Sequence, residues 1–495
     1  MIKRTLSHFR LFLDTPRAVA WSFIVVFIVV LGVLSTQRHT LYNSSAFDLA
    51  FHDHALWRMA RGDLLAFLKP PFTGAAHVEP IMILLVPFRW LFADVRWLLL
   101  LQTIALGLGG WGIYRITSRV WPQAQAGALF TAVYLLYLPV GYMAIFDFHP
   151  VALATPLLIF AFDAADTQHF RRATILLLLA LMCKEEIGFV AASLGIYWFL
   201  VKRWKWGLLW AVFGFLWAAL SYFVILPGGL NLDAVGTHSY YSWLFQGDIQ
   251  SRIDFFIRMN QFYWDYKVQW MTAMFAPLLL LPFLKPAIFL IAVPTILLHA
   301  LSAYPLQLVV EHQYMAAVVP FTLIAAVHGG YRAWTWLKKH VSKNRQVRFL
   351  RIGAFAMLAI SVSVYVTKGP HISQPLQSGA NLNGLAAAMS RIDPAGCLIT
   401  ATNIAPHYTK IEKLYLFNQA GVQCDIALAD MGDDRYPQFE TTGPQAACQL
   451  FEQQNYHPIF LQDQVVILQH AGVLHEGLIS EMTMLCKPYS AKDKR

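Results

Sequence analysis

Acidic and histidine side chains occur close together in several segments of this 495-residue chain. Proteins use such groups for proton transfer and for holding cations. In the first segment, YNSSAFDLAFHDHALW, Asp48 and His52 are four residues apart and would share one face of a helix. Asp48 could act as a general base, or share a divalent cation such as Mg²⁺ or Mn²⁺ with His52. The alternative is helix capping by residues 43–45, followed by polar side chains that face solvent.

Lys184, Glu185 and Glu186 interrupt the otherwise apolar stretch 173–201. Charged side chains in such surroundings must pair, hydrate or bind something. Lys184 could meet a phosphate, and either glutamate could orient a sugar hydroxyl or its partner cation. The alternative is a structural Lys–Glu pair that only holds helices together.

Acid–imidazole pairs recur in three more motifs. Each alone could consist of loop residues that meet water, but as a set they favour one shared site. The motifs are HVEP with His77 and Glu79, FDFHP with Asp147 and His149, and EHQY with Glu311, His312 and Tyr314.

The elements that carry these residues are predicted to be membrane helices. The chain is 57% hydrophobic and 13% charged, whereas soluble domains average about 45–50% apolar and about 25% charged residues. This composition excludes a string of soluble domains, a disordered chain and a disulfide-dense secreted fold. The net charge of +10 gathers beside apolar runs, which indicates membrane topology and not nucleic-acid binding.

Eleven spans are predicted by apolar length, with the N-terminus inside and the C-terminal tail outside. The stretch 80–92 contains Pro80, Pro87 and Arg89 and is expected to lie in the membrane interface as a helix. If it crossed the membrane, nearly every later basic cluster would face outward, against the positive-inside rule. The first span is too long for a cleavable signal peptide. The predicted spans are 18–36, 97–115, 124–143, 151–165, 173–183, 187–201, 207–227, 270–284, 287–303, 314–334 and 350–367.

This topology predicts a multi-pass domain over 1–367, with a first outer loop at 37–96, and an outer α/β domain over 368–495. All the acid–imidazole segments face outward. Four cysteines of the tail could form disulfides or remain free thiols, and no phosphate-binding loop motif occurs. The tail elements expected from short apolar runs are a helix at Leu385–Ile392 and strands at Cys397–Ala401, Lys413–Phe417, Asp425–Asp430, Pro458–Leu461 and Val465–Gln469.

Taken in order, SSAFDLAFHDHALW, HVEP, FDFHP, CKEEIG, EHQYMAAVVPF and ATNIAPHYTKIEKLYLF resemble a bacterial family of predicted membrane proteins, domain of unknown function 2079. That family is grouped with the GT-C membrane glycosyltransferases. The resemblance covers roughly residues 40–440. It implies a GT-C-like helical fold in the bacterial cytoplasmic (inner) membrane, with interfacial helices in the first outer loop.

The resemblance also implies a reaction. GT-C enzymes take sugars from polyprenyl-phosphate donors, and Asp48 matches their catalytic acid in the first loop. Lys184, His77, His149 and His312 would then stabilise the departing lipid phosphate. His54 stands where the family pattern has Gln, so the resemblance assigns it no role.

Two other classes remain open from the sequence. A transporter or flippase of lipid or polysaccharide precursors also needs charged groups within broken helices. However, no matching pair of broken segments occurs in two halves of the chain. The other class is a non-enzymatic envelope protein, such as a receptor or scaffold, supported only by the predicted outer tail.

Overall fold

A computed structural model describes residues 15–68, 77–226, 240–369, 377–417, 419, 422–434, 442–453, 455–472 and 474–490. The basic residues Lys3, Arg4 and Arg10 near the N-terminus, and the part of the segment between the predicted spans 207–227 and 270–284 up to residue 239, lie outside the described residues. The chain divides into two compact units. The helical unit comprises Met1–Val33, His77–Met82 and Leu98–His371, and the sheet unit comprises Leu34–Ala76, Ile83–Trp97 and Ile372–Arg495.

The helical unit is built from apolar helices, as its long hydrophobic runs predict. Helices suit a membrane because they satisfy every backbone hydrogen bond within one segment. Their bounds, including helices that continue into the other unit, are Pro16–Thr40, Arg96–Val120, Gln125–Leu135, Leu138–Ile145, Pro150–Asp166, Phe170–Leu181, Ile187–Leu200, Gly207–Leu220, Ile249–Phe262, Trp264–Phe275, Pro286–Phe289, Val293–Ala300, Val319–His340 and Lys343–Lys368.

Among the described residues, four helices are long and apolar enough to cross a bilayer. A fifth span results if Gln125–Leu135 and Leu138–Ile145, which meet at a bend of 54°, cross together. Several other predicted spans fall on shorter helices. Phe170–Leu181 has 12 residues and is only about 18 Å long. The number eleven therefore stays a prediction. The four helices are Pro16–Thr40, Arg96–Val120, Gly207–Ile225 and Lys343–Lys368.

The predicted interfacial stretch 80–92 forms a helix of 11 residues, Ile81–Leu91. Its length of about 16 Å is about half the thickness of a bilayer's hydrocarbon core. The helix is therefore too short to cross alone. Its location at the membrane surface stays a prediction.

Glycines allow the two helices that follow residues 184–186 to approach closely. A Cβ atom added to Gly188, in helix Ile187–Leu200, would lie 2.7 Å from the carbonyl oxygen of Gly214 in helix Gly207–Leu220. Only a residue without a Cβ permits this approach. The second helix thus supports the first turn after the charged residues.

The sheet unit contains the predicted α/β module. Its five strands have the order β2-β1-β3-β5-β4. β1 pairs in parallel with β2 and β3, whereas β5 is antiparallel to β3 and β4. The five predicted strands are confirmed, and they form a partly parallel sheet. The strands are β1 (Cys397–Thr400), β2 (Lys413–Leu416), β3 (Ile426–Asp430), β4 (Tyr456–Gln462) and β5 (Val465–His470), and the helices are Leu382–Met389, Gly443–Gln453 and Glu476–Ser490.

The two sheet faces have different cores, because strand side chains alternate between faces. One face buries Leu398 of β1 beneath Leu385 and, from the first loop, Ala46 and Phe51. The other face buries Ile399 with Met482 of the last helix. The first loop thus shares a hydrophobic core with the C-terminal sheet, an association that its sequence did not signal.

Candidate functional site

The residues Lys184–Glu186, here called the charged break, lie between the helices Phe170–Leu181 and Ile187–Leu200. All three side chains are buried. Lys184 Nζ lies 3.4 Å from Glu186 Oε2 and 5.3 Å from the ring centre of Tyr314. His299 Nε2 is 3.5 Å from the same carboxylate oxygen. The prediction placed Lys184 and Tyr314 in one site, and the structure brings them together.

The electrostatics of the break favour an ion pair. Burial by itself would raise the pKa of Glu186, but Lys184 and His299 outweigh burial and lower that pKa to about 2. Burial would likewise lower the pKa of Lys184, but the charges of Glu186, Glu185 and Glu79 raise it. The break therefore holds a buried ammonium group that keeps its charge at neutral pH.

Glu185 has a different environment from Glu186. One of its oxygens accepts a hydrogen bond from His77 Nδ1 at 2.9 Å, and the other accepts one from the amide of Val78 at 2.9 Å. The amide of Ile81 also donates to the carbonyl of Met182 at 2.9 Å. Glu185 thus fixes the HVEP segment beside the break, together with the buried Glu79.

Aromatic rings connect the FDFHP and EHQY motifs to the break. The ring of Phe146 lies 5.6 Å from that of His149 and 5.2 Å from that of His312. The ring of His312 is 6.3 Å from that of Tyr314, which reaches Lys184. His149 and His312 therefore belong to the same cluster as the break. Glu311 of the EHQY motif is exposed instead.

The sequence analysis missed two residues of this cluster, His299 and Gln102. The amide nitrogen of Gln102 lies 2.6 Å from the carbonyl oxygen of Met143, and its Oε1 accepts from the amide of His149 at 2.9 Å. Gln102 also donates to the carbonyl of Asp147, which is fully buried. A lone glutamine inside a predicted span was the signal that could have been noticed, because a buried amide requires partners.

In the sheet unit, Asp48 lies on the turn Ala46–Ala50, which begins at the cap Ser45 as the alternative interpretation expected. His52 does contact Asp48, but its ring nitrogen Nδ1 donates to the backbone carbonyl of Asp48, at 2.7 Å. The contact is therefore made to the main chain. The partly exposed Asp48 side chain keeps its predicted role of general base as a hypothesis.

His54 and Arg58 share a helix but have separate partners. His54 Nδ1 donates to the carbonyl of Thr409 at 2.8 Å, and Arg58 pairs with Asp63 at 2.5 Å. His54 therefore joins the first loop to the C-terminal segment.

The sequence analysis also missed Asp53, whose side chain is 1% exposed. Its Oδ1 lies 3.1 Å from Nε of Arg89, and its Oδ2 accepts from the hydroxyl of Thr409 at 2.5 Å. Burial raises the pKa of Asp53, although Arg89 and Thr409 act to lower it. An arginine in the apolar stretch 80–92 was the available signal, because a buried guanidinium requires an acceptor.

Within the part of the chain that the structure describes, no group of three or more His, Cys, Asp or Glu side chains is placed to hold a metal ion. The glutamates of the break are engaged by Lys184, His77 and His299. The Mg²⁺ or Mn²⁺ considered from the sequence therefore has no assigned site here.

These features define a mostly helical integral membrane protein with a small C-terminal sheet. Residues 38–466 match the sequence profile of the family described as "Predicted membrane protein (DUF2079)", and the chain belongs to that family. This confirms the resemblance found in the sequence motifs. No curated protein matches the chain significantly.

Two solved structures of ArnT from Cupriavidus metallidurans are similar in fold. The apo structure has a TM-score of 0.52 at 12% identity, and the structure bound to undecaprenyl phosphate has a TM-score of 0.51 at 15% identity. Both alignments cover 90% of this chain and 97% of the ArnT chain. At such low identity the likeness shows the fold alone. The chain therefore shares its overall fold with these ArnT structures.

Proposed function

We propose that this protein is a membrane glycosyltransferase that transfers a sugar from a polyprenyl-phosphate donor to an extracytoplasmic acceptor. The observation that best supports this proposal is the charged break, where the buried Lys184 ammonium lies 3.4 Å from Glu186 and 5.3 Å from the ring centre of Tyr314. A buried cation in an apolar helical unit is costly and by default indicates a function. The ArnT structure with undecaprenyl phosphate supports a lipid phosphate as its ligand.

In this proposal Lys184 binds the phosphate of the lipid. An ammonium group has three N–H donors, and Lys184 Nζ lies 3.4 Å from a carboxylate oxygen of Glu186. Glu186 and His299 orient Lys184 and keep it charged. His149 and His312, joined through Phe146, supply further hydrogen-bond donors to the phosphate or the sugar.

Asp48 has the role of general base. It takes the proton from the acceptor hydroxyl, whose oxygen then forms a bond to the anomeric carbon of the sugar. The bond between that carbon and the phosphate oxygen breaks, and its electron pair leaves with the lipid phosphate. A single base and a stabilised leaving group suit inversion at the anomeric carbon.

The experiment measures release of undecaprenyl phosphate from an undecaprenyl-phosphate-linked sugar, with envelope extract as the acceptor source. Wild type and Asp48→Asn are compared in lipid nanodiscs. Asp63→Asn is the matched control, because Asp63 is an acidic residue of the same first loop and is assigned to the ion pair with Arg58. We expect the Asp48 variant to lose activity by about 10²-fold or more and the control to keep it. Equal activity of wild type and Asp48→Asn would remove Asp48 from the mechanism.

We also propose that the sheet unit lies outside the cytoplasm, with the N-terminus inside. Cys397 pairs with Cys424 and Cys448 pairs with Cys486, with Cα atoms 5.0 and 5.5 Å apart. Disulfides persist in oxidising compartments and are rare in the cytosol. They therefore support the orientation that the basic clusters predict.

A further inference from the structure

A cavity in the helical unit has no part in the proposed reaction. Its volume is about 530 Å³, and its walls are almost wholly apolar. The helix Lys343–Lys368 forms one side of it. The largest side chains that line it are Trp121, Phe130, Trp334, Leu337, Phe349 and Met357.

The cavity has room for a further group. A Cβ atom added to Gly353, which lines it, would meet no atom within 4 Å. In the most apolar window of helix Lys343–Lys368, only 11% of the residues are buried. Two lining residues also carry buried polar atoms without a hydrogen-bond partner among the described residues, namely Trp334 Nε1 and Gln123 Oε1.

One end of the cavity is strongly basic. The segment 338–351 contains six Lys and Arg residues and no acidic residue. Arg351 lines the cavity itself, and Lys338 Nζ lies 5.9 Å from the ring centre of the lining Trp334. An apolar chamber with cations at its rim matches a ligand that has an acyl chain and an anionic head group.

The cavity is separate from the charged break. Tyr314, which contacts Lys184, precedes the helix Val319–His340, whereas Trp334 lies in the second half of that helix. Fifteen residues of helix, from Val319 to Trp334, extend about 22 Å. The lipid phosphate proposed for the break and a head group at Arg351 would therefore occupy opposite ends of one helix.

We propose that this cavity is a binding site for an anionic phospholipid. One acyl chain lies between the helices Val319–His340 and Lys343–Lys368, and the phosphate contacts Arg351 and Lys338. The bound lipid covers the open side of helix Lys343–Lys368. This site is independent of the proposed glycosyl transfer.

The experiment measures the melting temperature of the full-length protein in neutral detergent during titration with phosphatidylglycerol or phosphatidylcholine. A ligand that binds the folded state raises the melting temperature with its concentration. We expect a saturable increase with phosphatidylglycerol and none with phosphatidylcholine. Equal responses to the two lipids would overturn the proposal.

Two variants locate the site. Gly353→Phe fills the cavity, and Arg351→Gln removes the charge at its rim and leaves a shorter polar side chain. Arg351→Gln is expected to weaken phosphatidylglycerol binding about tenfold, the value of one charge-assisted hydrogen bond. Gly353→Phe is expected to abolish the saturable increase, because the new ring occupies the cavity. Arg345→Gln is the matched control, because Arg345 lies in the same basic segment but does not line the cavity.

If Gly353→Phe does not fold, comparing phosphatidylglycerol binding between Arg351→Gln and Arg345→Gln decides whether the site is specific. Equal losses in those two variants would mean diffuse attraction and would overturn a specific site. Displacement of phosphatidylglycerol by an equal amount of undecaprenyl phosphate would also overturn it, since the cavity would then hold the polyprenyl lipid. Undiminished sugar transfer in Arg351→Gln is expected, because the two sites are independent.

Discussion

Each unit of this protein buries a group of opposite charges, and the two groups are built differently. In the sheet unit, both carboxylate oxygens of Asp53 have close neighbours, Arg89 Nε at 3.1 Å and the Thr409 hydroxyl at 2.5 Å. In the helical unit, the contact between Lys184 and Glu186 is longer, at 3.4 Å. In the proposed function, the Lys184 ammonium also contacts the lipid phosphate.

The two charged groups are assigned different roles, one structural and one in binding. A buried pair with only a structural role can be exchanged for apolar residues of similar volume with little loss. A cation that binds a ligand cannot be exchanged without losing that ligand. Asp53 and Arg89 are thus assigned to joining the first loop to the sheet, and Lys184 to binding.

The largest effect on stability is expected from breaking the pair of Asp53 and Arg89. Asp53→Leu or Arg89→Met alone leaves one buried charge without its partner and should cost about 3–5 kcal/mol. The double variant should recover most of this loss, because neither charge then remains. Chemical unfolding of the full chain in detergent measures both. A double variant as unstable as the singles would contradict the assignment.

The disulfides of the sheet unit should contribute somewhat less. Replacing Cys448 and Cys486 by Ser opens a loop with a sequence separation of 38 and should cost about 2–4 kcal/mol. In intact cells, a membrane-impermeant thiol reagent should label these cysteines only after reduction. Labelling without a reductant would contradict the disulfides. If the reagent does not label these cysteines in intact cells after the protein has been reduced and unfolded, the outer location is contradicted.

A smaller effect, on lipid binding, tests how Lys184 is held in the charged break. Glu186→Gln removes the carboxylate that keeps Lys184 charged and oriented, and should weaken undecaprenyl phosphate binding about tenfold, or about 1.4 kcal/mol. Glu185→Gln instead loosens the His77 segment and should affect binding less. Equal effects of the two changes would mean that neither glutamate is specifically coupled to Lys184.

The smallest effect is a pH dependence of stability that comes from Asp53. Because burial raises the pKa of Asp53 in the folded protein, the folded state holds this proton more tightly than the unfolded chain. Stability from this group is therefore present at low pH and is lost as pH rises from about 3.9 through the folded pKa. Unfolding of Asp53→Asn should show a flatter dependence across that range. An unchanged slope would contradict the raised pKa.

Much of the sheet unit could be predicted, because its short apolar runs are separated by turn residues and each run became a strand. The structure also places Lys184 near Tyr314, as the sequence predicted, since a charged residue in an apolar run is conspicuous. The partner of Asp53 was missed because Arg89 is distant in sequence, and burial between such segments leaves no local pattern. Several predicted spans fall on short or broken helices, because hydropathy does not register where a helix breaks.

The His52 contact shows a similar limit. Helical periodicity correctly placed His52 beside Asp48, but could not tell whether the ring would meet the carboxylate or the backbone carbonyl, which it meets at 2.7 Å. Side-chain rotamers depend on tertiary packing. Sequence spacing therefore predicted proximity and not the chemistry of the contact.

The central claim is that Lys184 is a binding group and not merely half of a structural pair. Its most direct test is the affinity of the purified protein for undecaprenyl phosphate, compared between wild type, Lys184→Gln and Lys202→Gln. Lys202 is the matched control because it is also paired with a carboxylate, that of Asp166 at 2.5 Å. The account predicts a loss of about tenfold or more for Lys184→Gln and wild-type affinity for Lys202→Gln. Unchanged affinity in a folded Lys184→Gln protein would contradict it.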